Sequence, residues 1–273
     1  MPRLTWDQTG ERLYETGTKR GVLFPQRANG TYNVGVAWNG LTAVTESPSG
    51  AEETALWADD MKYLSLRSAE EFGGTIECYT YPDEWGQCDG TATPATGVHI
   101  GQQSRSSFGL CYRTTVGNDT VGNDYGYKLH FVYNATASVS ERAYATINDS
   151  PEAITFSYEF TTTPVDVKVG DNEYKPTSIL TVDSTKCNPT ILKRLEDIVY
   201  GTAGTISYST FSGESFAPGV TYYERTGTEG SYTYVPTADT EPQSGTTYYT
   251  KTETGGTDPR LPLPAEIIGM FAS

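Results

Sequence analysis

The sequence predicts a mainly-β protein with one flanking helix, on three observations. Large apolar side chains alternate strictly at Tyr127, Leu129, Phe131 and Tyr133, and again at Ile154, Phe156, Tyr158 and Phe160. Successive side chains on a strand point to opposite faces, so each stretch gives one apolar and one polar face. Second, the 273 residues include 20 Tyr and 28 Gly, beside much Thr. Such a composition suits half-buried strands and tight turns. Third, only one segment, 189–200, is well marked as an amphipathic helix.

The other elements follow in chain order. Val34–Leu41 reads as a strand-like run containing glycine. The polar, turn-rich stretch from Thr45 to Asp60 reads as a long exposed loop. Met61–Leu66, Thr75–Tyr81 and Ser106–Arg113 read as strands, the last with Phe108, Leu110 and Tyr112 on one face. Ser178–Val182 is a short further strand. Asn188 is placed to cap the helix, Pro189 suits its first turn, and Gly201 suits its exit. Ile191, Leu192, Leu195, Ile198 and Val199 form its apolar stripe, with Lys193, Arg194, Glu196 and Asp197 mostly opposite.

Residues 202–257 change character, with much Gly, Thr, Ser and Tyr. Within them Gly219–Thr226 (GVTYYERT) is echoed by Gly245–Thr252 (GTTYYTKT). Two copies are too few for a solenoid. A small β-hairpin-like surface module is expected instead. The domain reading is therefore a core at 1–201, an insertion at 202–257, and a return at 258–273. The apolar segment Arg260–Phe271 is expected to dock on the body or on a neighbouring subunit.

The charge balance is 34 acidic to 19 basic residues, a net −15, spread along the chain. That argues against wrapping nucleic acid, which needs Lys and Arg to displace counterions. It suits a surface that repels nucleic acid. Cys78, Cys88, Cys111 and Cys187 show no Cys-x-x-Cys spacing and read as small core residues. The N-terminus has no apolar signal-like stretch, and no 18-residue apolar run exists, so folding in a cytosol and no membrane span are expected.

No Gly-x-Ser-x-Gly, His-Glu-x-x-His, Walker or dinucleotide fingerprint is present. His99 and His130 lack metal ligands at useful spacing, and His130 falls on the strand face opposite Leu129 and Phe131. A hydrogen-bonded structural histidine is expected there. The acidic pairs Glu52-Glu53, Asp59-Asp60 and Glu70-Glu71 point to opposite sides on extended chain, so they read as solvated charge. The tandem Val116-Gly-Asn-Asp119 and Val121-Gly-Asn-Asp124 lacks the spaced oxygens of a calcium loop and reads as turns. A protein without enzymatic activity, cofactor or metal is the expectation.

Longer phrases carry more. They are Leu4-Thr-Trp-Asp-Gln-Thr-Gly-Glu-Arg-Leu-Tyr-Glu-Thr-Gly17, Gly35–Glu52 (GVAWNGLTAVTESPSGAE), Glu70–Glu84 (EEFGGTIECYTYPDE), Ile100–Gln103, Phe108–Arg113, Asp124–His130, Asn148–Ser157 and Arg260–Pro264. Together they resemble the major tail tube protein of long-tailed, non-contractile (siphovirus-type) bacteriophages and prophages. The resemblance covers about residues 3–201 and 258–271. It implies a β-sandwich with a flanking helix whose inner sheets join around a six-fold ring into a β-barrel. Rings would stack into a hollow tube through which DNA passes without specific binding. It also implies a tape measure protein and tail-end proteins as partners, and a place in the virion tail after assembly in the host cytoplasm. A loop reaching the next ring would fall on Thr45, Glu46, Ser47, Pro48, Ser49, Gly50, Glu52, Glu53, Asp59 and Asp60. The 202–257 insertion departs from the pattern and resembles accessory modules of phage tail proteins. The alternative reading is a host-surface or carbohydrate-binding protein acting through Tyr222, Tyr223, Tyr248 and Tyr249 there.

Overall fold

The alternating stretches become the middle of a curled antiparallel sheet. The computed structural model describes residues 3–50, 52–144, 146–147, 153–228 and 231–272; residues 148–152 of the Asn148–Ser157 phrase lie outside them. The chain is mainly β. Its contacts divide it into two units, Met1–Tyr200 with Asp258–Ser273, and Gly201–Thr257.

The first unit begins with β1 (Leu13–Pro25), β2 (Val36–Trp38) and β3 (Leu41–Glu46). An outgoing pair of segments, β4 (Ser49–Gly50) and β5 (Glu53–Ala58), meets a returning pair, β6 (Met61–Arg67) and β7 (Glu70–Glu71), and leads into β8 (Gly73–Cys78). The short helix α1 (Gly86–Asp89) and the hairpin β9 (Ala92–Ala95) and β10 (Val98–Ile100) follow. Then come β11 (Phe108–Asn118), β12 (Gly122–Ala137), β13 (Phe156–Thr162), the hairpin β14 (Val165–Val169) and β15 (Asn172–Thr177), β16 (Ile179–Asp183) and α2 (Pro189–Tyr200). After the insertion, α3 (Pro264–Ala272) completes the unit.

The main sheet runs β2-β1-β11-β12-β13-β8-β3, with β16 also paired to β12. Its end strands β2 and β3 are joined by Asn39-Gly40 alone, so the sheet curls until its ends meet. Gly40, at φ 73°, supplies the left-handed backbone this turn needs. Trp38 Nε1 donates to the Thr80 carbonyl at 3.1 Å near the closure.

β12 serves two partners in turn. Lys128–Val132 pairs with β16, and Ala135–Ala137 pairs with β13. Asn134, at φ 47°, sits between them where the register with β11 also shifts. A bulge of this kind bends a strand and resets its alternation. Hence Leu129, Phe131 and Tyr133 face one core while Val132, Ala135 and Ala137 face the other. The expected wet face of this strand is therefore partly buried, because the curled sheet covers it.

The inner core lies inside the curl and centres on Trp85. Its ring meets Trp38 at 4.8 Å, Phe108 at 5.0 Å and Tyr158 at 5.0 Å. The outer core lies under the helices, where Leu192, Leu195 and Val199 of α2 and Ile267 of α3 cover Leu129, Phe131 and Tyr133. The expected helix 189–200 is observed with its cap: Asn188 Oδ1 accepts the Thr190 N–H at 2.9 Å. Asn188→Ala should cost about 1 kcal/mol, the usual worth of such a cap, seen as a lower urea midpoint at unchanged slope. The apolar segment after the insertion is not extended chain but helix α3, started by Pro264 and held by an Arg260–Glu266 ion pair.

The second unit is a four-stranded sheet rather than a single hairpin. Its strands are β17 (Thr205–Thr210), β18 (Tyr222–Thr228), β19 (Ser231–Pro236) and β20 (Tyr248–Thr254), in the order β17-β20-β18-β19. The sequence echo is a structural one. β17–β18 and β19–β20 are two copies of one strand–turn–strand unit, and the first strand of each pairs with the second strand of the other. The Tyr222 hydroxyl accepts the Ala217 N–H at 3.0 Å, and the Tyr248 hydroxyl accepts the Gln243 N–H at 3.2 Å. Each bond braces the turn that precedes its strand.

Candidate assembly surfaces

The segment read as a loop from Thr45 to Asp60 is the outgoing half of a long hairpin arm. Thr45 and Glu46 belong to β3, Ser49 and Gly50 to β4, and Glu53 to β5, while Ser47, Pro48 and Glu52 lie at the joints. Ser49 pairs with Glu71, Glu53 with Arg67, and Ala58 with Met61. Asp59 and Asp60 form the tip, with φ 50° and 60°, the left-handed pair that a two-residue hairpin turn requires. Polarity suggested a loop because an arm held away from the core needs no continuous apolar face to pair its backbone.

The arm is also less polar than its first half implies. Leu56 lies opposite Leu64, and Thr54 opposite Leu66, so one face carries a run of leucines. Glu53 gathers Lys62, Ser65 and Arg67 by ion pairs and a hydrogen bond. Trp57 and Tyr63 are 69% and 70% exposed, and Met61 and Leu66 are exposed too. Scattered apolar residues on a surface are normal, whereas a cluster on one projecting hairpin marks a contact surface.

A second surface is the ribbon β1-β11-β12-β16. Among the described residues, β2 covers only Gly21–Leu23 of β1, and β16 pairs only with β12. Among the described residues, Leu13–Lys19 on one side and Ile179–Asp183 on the other have no second strand partner. Each pairing across the ribbon is antiparallel, so β1 and β16 run in opposite directions. The two open edges are thus matched to each other in polarity. The ribbon face away from the helices is polar: Thr114 and Lys128 are paired across it, as are Lys128 with Asp183 and His130 with Thr181. An ion pair joins Lys128 to Glu15 on this face.

At the root of the arm, Glu46 accepts a hydrogen bond from the Tyr112 hydroxyl and lies 3.5 Å from His130 Nδ1. Thr114 Oγ1 lies 2.9 Å from His130 Nε2, and the Tyr112 and His130 rings stack at 4.7 Å. His130 is thus held by hydrogen bonds in a structural cluster. The imidazole beside Glu46, with the Tyr112 hydroxyl, holds that carboxyl below its ordinary 4.5 despite partial burial. A carboxyl with a depressed folded pKa stabilises above its unfolded pKa and loses that contribution as pH falls through the folded value. Glu46→Gln should therefore lower the Tm at pH 7, where the carboxylate's contribution is complete, and flatten the acid limb of the Tm–pH profile below about pH 4.5, where the two proteins converge.

The remaining candidates do not converge. His99 Nδ1 lies 3.2 Å from Thr93 Oγ1, in an exposed hairpin. In the Val116–Asp124 tandem, Asn118 Oδ1 accepts the Val121 N–H and Asp119 Oδ1 accepts the Gly10 N–H, so these oxygens brace a turn and the N-terminal segment. Among the described residues, no group of three or more His, Cys, Asp or Glu is placed to hold a metal ion. All four cysteines are free thiols; Cys78, Cys88 and Cys111 are buried, and burial pushes Cys78 up to about 11 and Cys88 to about 12. No helix among the described residues is long and apolar enough to cross a membrane.

The tyrosines singled out in the insertion need correction. Tyr222, Tyr248 and Tyr249 are buried, and Tyr223 is half-buried. Adjacent tyrosines on a strand point to opposite faces, and this module packs aromatics on both. Tyr222 and Tyr248 pack with Phe216 on one face, while Tyr234 stacks on Tyr208 at 3.8 Å and meets Tyr249 at 5.1 Å on the other. They are the core of the module, not a displayed binding set. No protein-family model matches the chain, and no curated protein sequence matches it significantly.

Proposed function

We propose that this chain is a structural subunit of a bacteriophage tail tube, assembling with copies of itself into stacked hexameric rings. The observation that carries the reading is the hairpin arm, a paired extension with a leucine face and exposed Trp57, Met61 and Tyr63. Fully burying one large apolar side chain contributes about 1.5–3 kcal/mol. The arm therefore offers on the order of 10 kcal/mol gross to a neighbour, against an association cost of about 4–15 kcal/mol. One such contact alone is weak, and many repeated contacts hold a tube together.

The ribbon supports the same reading. Joining the β16 edge of one copy to the β1 edge of the next continues the antiparallel order and removes both open edges. Its polar face would then line the lumen. With a net charge of −15, the wall would repel DNA and offer no counterion release to hold it. The buried tyrosines of the 202–257 module weaken the host-surface alternative.

Electron microscopy of concentrated protein tests the proposal, with sedimentation velocity across a concentration series. Rings of six copies and hollow tubes are expected. A particle that stays monomeric at every concentration would overturn it.

A further inference from the structure

A groove of the first unit lies beside the β2–β3 turn. It has a volume of about 770 Å³ and is lined by Lys19, Arg20, Trp38, Leu41, Tyr200 and neighbouring backbone. Among the described residues, two cations and no carboxylate line it, in a chain with 34 acidic and 19 basic residues. The cations are placed there by a bulge. Between the Lys19–Arg113 and Val22–Cys111 pairs, β1 carries two residues opposite one of β11. Arg20 takes φ 55° at this point, a conformation uncommon for a residue with a side chain. Its guanidinium lies 5.8 Å from the Tyr200 ring. Bulges of this kind re-aim side chains, and a left-handed non-glycine residue is a backbone cost that points to a use.

The complementary feature is the arm tip, Asp59-Asp60, between exposed Trp57 and Met61. The tip does not belong to the groove of its own copy. The ladder runs outward from Leu41–Cys78 through Ser49–Glu71 to Ala58–Met61, carrying the tip away from Leu41. A groove of this volume is sized for a drug-like ligand and so for a turn, not for a whole strand.

We infer that the Asp59-Asp60 tip of one copy docks in the Lys19–Arg20 groove of the next, an inference that rests on the assembly reading above. The two carboxylates meet the two cations, and Trp57 or Met61 covers the apolar wall. Such a contact joins two different patches, so it repeats head to tail without closing on itself. It is a contact suited to lengthening a stack of rings.

Charge reversal tests this with four proteins: wild type, D59K/D60K, K19E/R20E, and the variant carrying all four changes. Assembly is read as the concentration at which tubes appear in sedimentation and micrographs. Each double variant alone should need at least about tenfold more protein, because like charges then meet in the joint. An equimolar mixture of the two double variants should assemble near the wild-type concentration, as should the fourfold variant alone. Circular dichroism checks folding; if K19E/R20E is misfolded, K19Q/R20Q tests the loss of assembly alone, since neutral side chains cannot restore the pairing in a mixture. If wild type assembles and the folded double variants assemble equally well, the docking inference falls and the tube reading stands. Failure of the mixture and of the fourfold variant to recover also overturns it. If wild type never assembles, both fall.

Discussion

Trp85→Ala should destabilise the first unit by about 3–5 kcal/mol, the range for emptying the site of a large buried ring. Trp85 is fully buried, and its ring is enclosed by Trp38, Phe108 and Tyr158. Those three come from β2, β11 and β13, so one side chain ties three strands of the curled sheet together. Filling the vacated space would require the sheet to tighten its curl, which its ladder hydrogen bonds resist. Among the described residues the Nε1–H has no hydrogen-bond partner, so Trp85→Phe should lose clearly less: it removes an unsatisfied donor along with part of the ring. The measurement is selective, because Trp6, Trp38, Trp57 and Trp85 all lie in the first unit and none lies in Gly201–Thr257. Urea unfolding followed by tryptophan fluorescence therefore reports the first unit alone. A loss below about 1 kcal/mol would show that the inner core does not depend on this ring.

What the sequence made legible was local. The alternation at 127–133 and 156–160 and the helix 189–200 with its Asn188 cap each depend on neighbours within a few residues. What it hid depends on pairing across the chain. The curl follows from β2 and β3 ending up at opposite ends of one sheet, which no spacing reveals. The bulges at Arg20 and Asn134 are properties of register, so neither the basic groove nor the second buried face of β12 could be read from side-chain type. Trp85 sits in the polar run Asp83-Glu84-Trp85-Gly86-Gln87, where its neighbours argue for a surface turn. Helix α3 was masked by Pro262, Pro264 and Gly269, although Pro264 at a first turn is a helix-start signal.

The hairpin arm was half legible for the same reason. The polar stretch after Thr45 reads as a loop, but its polarity describes the outgoing strand only. The return strand, with Met61, Tyr63, Leu64 and Leu66, reads as a separate element because the two-residue Asp59-Asp60 turn offers no Gly or Asn. The Tyr-Tyr pairs of the insertion misled in the opposite direction. Paired aromatics suggest display, yet on a strand one of each pair enters either face, and a sheet packed on both faces buries them.

Replacing residues 50–70 by Asn-Gly should abolish assembly while leaving the isolated subunit folded. Ser49 and Glu71 are paired across the base of the arm, so a two-residue turn between them closes the shortened hairpin in register and leaves Phe72 packed near Phe160. The first unit loses little by it. Of the arm's larger apolar residues, Leu56, Trp57, Met61, Tyr63, Leu64 and Leu66 are all exposed, so their removal opens no cavity in either core. The Tm of the monomer should move by no more than a few degrees, corresponding to about 1 kcal/mol or less. Its far-ultraviolet dichroism should lose only the arm's strand signal. Assembly should respond much more strongly. Without the arm, the gross burial on the order of 10 kcal/mol per contact is gone, while the cost of ordering each added subunit is unchanged. Sedimentation at concentrations where wild type forms tubes should then show monomers, or single rings if the ribbon edges suffice to close one. Single rings would separate the two joints, assigning ring closure to β1 and β16 and stacking to the arm. Tubes of normal length from the shortened chain would show that the arm's apolar surface serves some other partner.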